Sequence, residues 1–256
     1  MSAADFGHIK LGQCKYGWMF FSGPYIGRCF ELYGEYSESE VSVFKAYIKP
    51  GDYVIEVGAN IGSLTVPISK IVGNDGRVIA FESHPETFNV LCANLALNQL
   101  KNIKPVNAFV AHDVTVDTAS EVWGKYAFVS DIWETSYDQI DRFALPRLDF
   151  IKVDVDGSEL AVLKSGHETI EKYKPVIYFE NDLQDRSTEL IKWVMNMGYR
   201  VFFHPAPIFQ AENFLKNPLN AWAPQDVISL MMLAIPEGKP IPDNLREVAS
   251  PSDWWK

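Results

Sequence analysis

Residues 49–62 read Lys-Pro-Gly-Asp-Tyr-Val-Ile-Glu-Val-Gly-Ala-Asn-Ile-Gly, and this stretch decides the fold. A turn at Lys49-Pro50-Gly51-Asp52 leads into a strand, Tyr53 to Val57, that carries the acid Glu56 near its end. Gly58 and Gly62 then bracket the turn into a helix, which brings a ligand close to backbone N–H groups and a helix N-terminus. The dinucleotide fingerprint G-x-G-x-x-G is broken here. Counted from Gly58, Asn60 stands at the middle glycine and Ser63 at the last. Glu56 would repel a pyrophosphate but welcome an ammonium group. A nicotinamide-dependent oxidoreductase therefore fails on this loop, and a zwitterionic ligand suits Glu56, Gly58, Asn60 and Gly62.

Outward from the loop, strand-length apolar runs alternate with helical patterns. That is the signature of a doubly wound, Rossmann-like α/β fold with a mostly parallel sheet and helices on both faces. Further strands are predicted at residues 77–81, 103–110, 150–155 and 176–179. Phe88, Leu91, Cys92 and Leu95 form the buried stripe of one helix, opened by Pro85. Leu160, Leu163, His167 and Ile170 form another, which makes His167 a packed core residue. Leu190, Ile191, Val194 and Met195 form a third, closed by Gly198. Pro67 requires either that its helix begin near Ser63 or that it kink. Residues 111–146 lack a sustained period and fit short strands or an inserted helix over the sheet edge.

After Gly198, residues 199–203 and 227–235 read as strands joined by a proline-rich connection carrying Pro205, Pro207, Pro218 and Pro224. Such a segment makes no crossover helix, so it predicts a long active-site loop and an antiparallel last strand. Three parts follow: an N-terminal brace or lid at 1–48, the main ligand-binding domain at 49–236, and a surface tail at 237–256.

Composition narrows the function. With 47% hydrophobic and 22% charged residues among 256, the chain has the mix of a folded globular protein with a sizeable core. A net charge of −10 works against a broad phosphate-binding surface, so no nucleic-acid partner is expected. Cys14, Cys29 and Cys92 are widely spaced and unpaired with histidines, which predicts neither a disulfide framework nor a zinc site and fits a reducing cytoplasm. Neither a membrane span nor a signal peptide is predicted. Trp254-Trp255 and the aromatic N-terminal run suit cover for the core or a partner surface better than an anchor.

At the end of the second strand stands Glu82, 24 residues beyond Gly58, where doubly wound folds place the acid that accepts ribose hydroxyls. Ser83 lies beside it. An adenosine bearing an amino-acid tail satisfies Glu56 and Glu82 together.

These segments resemble the FkbM-type methyltransferases of the class I, S-adenosylmethionine-dependent superfamily. The resemblance is carried by YGEYSESE, KPGDYVIEVGANIGS, GRVIAFESHPETFNVLCANLALN, LDFIKVDVDGSELAVLKSGHETI and KPVIYFEN, roughly residues 33–182. It implies a seven-stranded sheet with an antiparallel last strand, S-adenosylmethionine as cofactor, and O-methylation of hydroxyls on sugars, polyketides or related metabolites. The chain departs from the family in carrying Glu56 where aspartate is usual and Asp156 where glutamate is usual; both changes keep the charge.

In Lys152-Val153-Asp154-Val155-Asp156-Gly157, strand alternation puts Lys152, Asp154 and Asp156 on one face. One reading is a lysine neutralising two carboxylates. The other places Asp154 beside the methionine part of the cofactor and the target hydroxyl, as the resemblance also implies. An alcohol acceptor must lose its proton, which makes Asp154, Glu180 and His204 the candidate catalytic residues. Asp154, Glu180 and Asn181 could instead bind a divalent cation, giving a metal-assisted alternative, although no metal is assigned. A non-catalytic cofactor-binding protein is the remaining alternative. His84 and His112 follow strands and suit adenine-side or structural roles; His8 falls in an unplaced segment. Tyr33, Glu35 and Tyr36 either close over the cofactor, making Glu35 and Tyr36 candidate cofactor contacts, or serve as a brace. Phe209, Asn213, Phe214, Asn217, Asn220 and Trp222 suit a sugar ring or a loop packed on itself. The acceptor is expected to be a small molecule or glycan.

Overall fold

Side chains on a strand alternate between faces, so a strand paired on both sides needs apolar residues at every position to bury both. The strand Tyr53–Val57 (β4) follows that rule except at the buried acid Glu56 in the computed structural model, which describes residues 4–6, 8–112 and 136–255. It pairs in parallel with Arg77–Phe81 (β5) on one side and Phe150–Val153 (β9) on the other. Beyond β5 lies Ile103–Val106 (β6). Beyond β9 come Val176–Glu180 (β10), the reversed strand Ile228–Pro236 (β12) and Tyr199–Pro207 (β11). The expected doubly wound sheet with its antiparallel strand is thus present. An eighth strand, Arg246–Glu247 (β13), extends the sheet past the expected seven by pairing with Phe202 and Phe203.

One face of the sheet presents Val54, Val78, Phe150, Val176, Tyr178 and Leu233; the other presents Ile55, Ile79, Ile151, Ile177 and Phe179. Each fully buried side chain of this kind contributes roughly 1.5–3 kcal/mol. Four helices relevant to the site cover the faces: Glu38–Tyr47 (α2), Thr65–Val72 (α3), Pro85–Leu97 (α4) and Gln184–Asn196, here α7. Because α3 starts at Thr65, Pro67 falls in its first turn, where a missing N–H costs nothing. Gly198 follows α7 in a left-handed conformation, φ +85°, as a C-terminal glycine does.

Several sequence expectations are corrected. The third strand stops at Val106, where Asn107 turns aside and donates to the carbonyls of Glu82 and Ser83 at 2.8 and 3.1 Å. Phe109–Val110 (β7) then pairs with Tyr137–Asp138 (β8), outside the main sheet. Residues 113–135, the middle of the unperiodic stretch, lie outside the described residues. The helix through His167 is two helices, Glu159–Lys164 (α5) and His167–Tyr173 (α6), broken at Gly166, where a Cβ would crowd Ile140. His167 is consequently exposed rather than in the core, beside Trp193.

Ahead of α2 the sequence shows only a brace. The structure has a three-stranded antiparallel sheet, Ala4–Phe6 (β1), Ile9–Cys14 (β2) and Gly17–Phe21 (β3), followed by the helix Arg28–Tyr33 (α1). The free edge of β3 is met by two amides of α4. Asn94 exchanges hydrogen bonds with both backbone groups of Phe20 (2.6 and 2.9 Å), and Asn98 does so with those of Trp18 (3.1 and 2.6 Å). The tail is also more engaged than surface chain: Trp255 packs against Phe203 and its indole donates to the Asn181 carbonyl at 2.8 Å. Among the described residues no helix is long and apolar enough to cross a membrane.

Candidate active site

The C-terminal ends of parallel strands converge on one crevice, the usual ligand site of doubly wound folds. Here β4, β5, β9 and β10 deliver Glu56, Glu82, Asp154 and Glu180 to a cavity of about 530 Å³. Gly58 sits in the crossing from β4 at φ +83°, with its Cα so close to the Asp154 carbonyl that a Cβ would collide with it. No other residue type serves there. The N–H groups of Gly58 and Ala59 both donate to Phe81 O, at 3.0 and 2.9 Å, which pins the loop against β5. Asn60 follows at φ +49°, and its N–H donates to Glu82 Oε2 at 2.8 Å.

Glu82 is held from both sides, because His84 N–H donates to its other oxygen at 2.8 Å. Burial raises its pKa above the ordinary carboxylate value, with those two N–H groups and the nearby His84 and Lys152 opposing the rise. Glu56 is a different acid. It is 0% exposed and neither oxygen has a hydrogen-bond partner. Burial pushes its pKa up to about 7, against the pull of Lys152, which stands beside it in the sheet register. Such a carboxylate suits a ligand that brings positive charge.

Lys152 is itself 1% exposed, and its Nζ donates to Asp154 Oδ2 at 3.1 Å. Burial lowers its pKa, but Asp154, Glu56 and Glu40 together outweigh burial and raise it above the ordinary lysine value, so the ammonium stays charged. Lys152 is thus paired with Asp154, and Asp154 also lines the cavity. At the far wall Glu180 Oε2 is buried without a partner. Burial, then the charges of Asp154, Asp182, Glu159 and Asp156, push its carboxyl up to about 10.

Of the other sequence-predicted residues, Ser83, Tyr36 and His84 line the cavity. Glu35 does not: its carboxylate turns outward to Lys15 Nζ and Phe214 N–H, both at 3.0 Å, and so ties the N-terminal brace to the loop after β11. Gly62 packs against Leu91 of α4 instead of facing the cavity. His204 lies outside the cavity wall, between Tyr178 Oη at 2.7 Å and Ser39 Oγ at 3.3 Å, and burial lowers its pKa to about 4. That placement removes it as a base at the acceptor. Asn181 turns to the opposite face from Glu180, donating to Ser187 Oγ and Met232 Sδ, so the metal-assisted alternative loses one of its three ligands. Among the described residues no group of three or more His, Cys, Asp or Glu side chains is arranged to hold a metal ion.

The loop after β11 is packed on itself and on the brace. Asn213 bridges Gln210 and Asn217, Asn217 reaches Leu32 O, and Asn220 binds Asp226. Tyr33 likewise bonds to Leu219 and Ala221 rather than to the cavity. Sequence reasoning missed Tyr25 and Ser229, which line the cavity, with Tyr25 edge-on to Tyr36 at 6.3 Å and tilted over Trp222 at 5.6 Å. Neither stands at the end of a parallel strand, so no positional signal marks them.

This crevice can be set beside known proteins. A family model described as the methyltransferase FkbM domain matches residues 56–201. The chain is similar to the tRNA (adenine(58)-N(1))-methyltransferase catalytic subunit TRM61 of Yarrowia lipolytica, 35% identical over 77 residues, which are 30% of this chain and 20% of that protein. It is also similar to the 23S rRNA (uracil(1939)-C(5))-methyltransferase RlmD of Acinetobacter baylyi, 27% identical over 81 residues, 32% of this chain and 17% of that protein. The matched stretch thus spans a fifth or less of these two relatives. Among solved structures, a precorrin-6y C5,15-methyltransferase from Geobacter metallireducens shares 15% identity over 77% of this chain and 87% of its own, with a TM-score of 0.51. An S-adenosylmethionine-dependent O-methyltransferase from Thermotoga maritima shares 14% identity over 91% and 79%, also at 0.51. These two likenesses concern the fold. With the family model covering more than half of its length, this chain belongs to the FkbM family of S-adenosylmethionine-dependent methyltransferases.

Proposed function

We propose that this enzyme methylates a hydroxyl oxygen of a sugar, glycan or other small metabolite. The observation that carries the reading is Glu180: a buried carboxyl with an unpartnered oxygen, in the same cavity as Asp154 and next to the aromatic wall of Tyr25 and Tyr36. When bound, S-adenosylmethionine supplies a methyl group activated by its sulfonium. The residues present fit it. Glu82, already oriented by two N–H groups, has lone pairs left for ribose hydroxyls, and Ser83 adjoins it. Glu56 and the backbone of Gly58 and Asn60 suit the amino-acid end, and Tyr36 and Asp154 line the same cavity.

Held there, that donor would give its methyl group to the acceptor oxygen, and the carbon–sulfur electron pair would stay on sulfur. Glu180 takes the hydroxyl proton. To do so it must be ionised, and positive charge brought into a cavity rich in carboxylates offsets the burial and repulsion that otherwise keep it protonated. The rest of the catalysis is alignment and exclusion of water. The acidic wall speaks against phosphate-bearing acceptors, despite the RNA-modifying relatives. The test is a screen of neutral saccharides, glycolipids, phosphorylated sugars and short RNAs with methyl-labelled cofactor. Label in neutral hydroxylated acceptors is expected; label confined to RNA overturns the reading.

A further inference from the structure

Glu40 precedes the stretch matched by the family model and belongs to a helix that the sequence reads as a brace, yet it is 1% exposed. Its position follows from packing. Phe44 of α2 lies edge-on against Phe150 and Tyr178, each at 5.7 Å. Glu40 is one helical turn before Phe44, and Lys152 is two residues beyond Phe150 on the same sheet face. The carboxylate is thereby carried towards the crevice and into the field of Lys152.

A helix cap does not account for it. Ser37-Glu38-Ser39-Glu40 has the spacing of a capping box, in which the glutamate reaches back to the N-cap N–H. Here Ser37 adopts φ +46° and makes no side-chain cap; its hydroxyl donates to Glu40 Oε1 at 2.7 Å instead. Glu40 Oε2 is left buried without a donor, an arrangement that costs stability. Burial pushes this carboxyl up to about 7 although Lys152 pulls the other way.

We propose that Glu40 is a positioning residue of the methyl-donor site, where it shares the Lys152 ammonium with Asp154 and Glu56 and leaves the cluster net negative where the sulfonium must bind. The consequence is selectivity. One ammonium facing three carboxylates favours the cationic methyl donor over the neutral thioether left after transfer, which helps the product leave. Removing the charge of Glu40 lets Lys152 cancel more of the field of Asp154, so affinity for the donor falls more than affinity for the product.

The experiment is calorimetric titration of the full chain with S-adenosylmethionine and S-adenosylhomocysteine, for wild type, Glu40→Gln and Glu40→Asp. Glutamine keeps the volume and the acceptor for Ser37. The preference for donor over product is expected to fall by about fivefold or more in Glu40→Gln, the effect of one nearby charge even at high effective dielectric, and by an intermediate factor in Glu40→Asp. An unchanged preference, or equal loss for both ligands, overturns the proposal. Should Glu40→Gln fail to fold, Glu40→Asp alone decides: a drop of about twofold supports the role, and no change sinks it. No acceptor enters the measurement, so its failure is separate from any failure of the O-methylation reading.

Discussion

Glu82 and Glu180 are both acids at strand ends, yet their surroundings give them different work. Glu82 is gripped by two N–H groups and has capacity for two further hydroxyls, whereas Glu180 Oε2 has nothing to bond. Glu82→Ala should raise the dissociation constant for S-adenosylmethionine by roughly 10–100-fold, the loss of one or two hydrogen bonds to a charged group, as read by calorimetry. Glu180→Gln should leave that constant within a few-fold but lower kcat by roughly 10²–10⁴. A loss confined to cofactor affinity would move Glu180 out of the base role. Glu56, Glu82 and Asp154 were legible because strand ends in this topology share one destination. His204 reads in the sequence as the opening of the loop after residue 203, but the strand runs on to Pro207 and carries the side chain to Tyr178 on the covered face of the sheet, a distinction of facing that the sequence does not carry.

At the scale of elements, the parallel strands announced themselves because burial on both faces favours mostly apolar runs, broken in β4 and β9 only by Glu56 and Lys152. The brace did not. One edge of β3 pairs with β2, but the other is met by side chains 74 and 80 positions further along the chain, and the brace's short strands are interrupted by Gly12 and Gly17. The break between α5 and α6 was hidden for a related reason: Gly166 is required by contact with Ile140, not by the helical period. Helix α2 is fixed to the sheet by Phe44, which is fully buried between Phe150 and Tyr178. Phe44→Ala should cost about 3–5 kcal/mol of unfolding free energy in denaturant titration. It should also lower cofactor affinity, because the helix that carries Glu40 loses its anchor. A stability loss with unchanged affinity would show that α2 acts only as a cover.

For the molecule as a whole, the buried acids set an unusual response to pH. Glu40, Glu56 and Glu159 have pKa values pushed up to about 7, mainly by burial, well above those of the unfolded chain. The folded state therefore holds more protons than the unfolded state between about pH 4.5 and 7. Stability from these groups is present at the acid end of that window and declines as pH rises through 7. The thermal midpoint of the cofactor-free protein should rise as pH is lowered from 8 to about 5.5, and saturating S-adenosylmethionine should flatten the trend by favouring the ionised acids. A midpoint that falls steadily over the same range would contradict the buried-acid account. A last consequence follows from the amides of Asn94 and Asn98, which occupy the backbone groups along the rim of β3. An unpaired strand edge is a template on which another chain can add. Replacing Asn98 with leucine would keep the bond from Asn94 to the Ile61 carbonyl beside the crevice but expose the Trp18 end of that edge, and the damage would show first as self-association and loss of solubility.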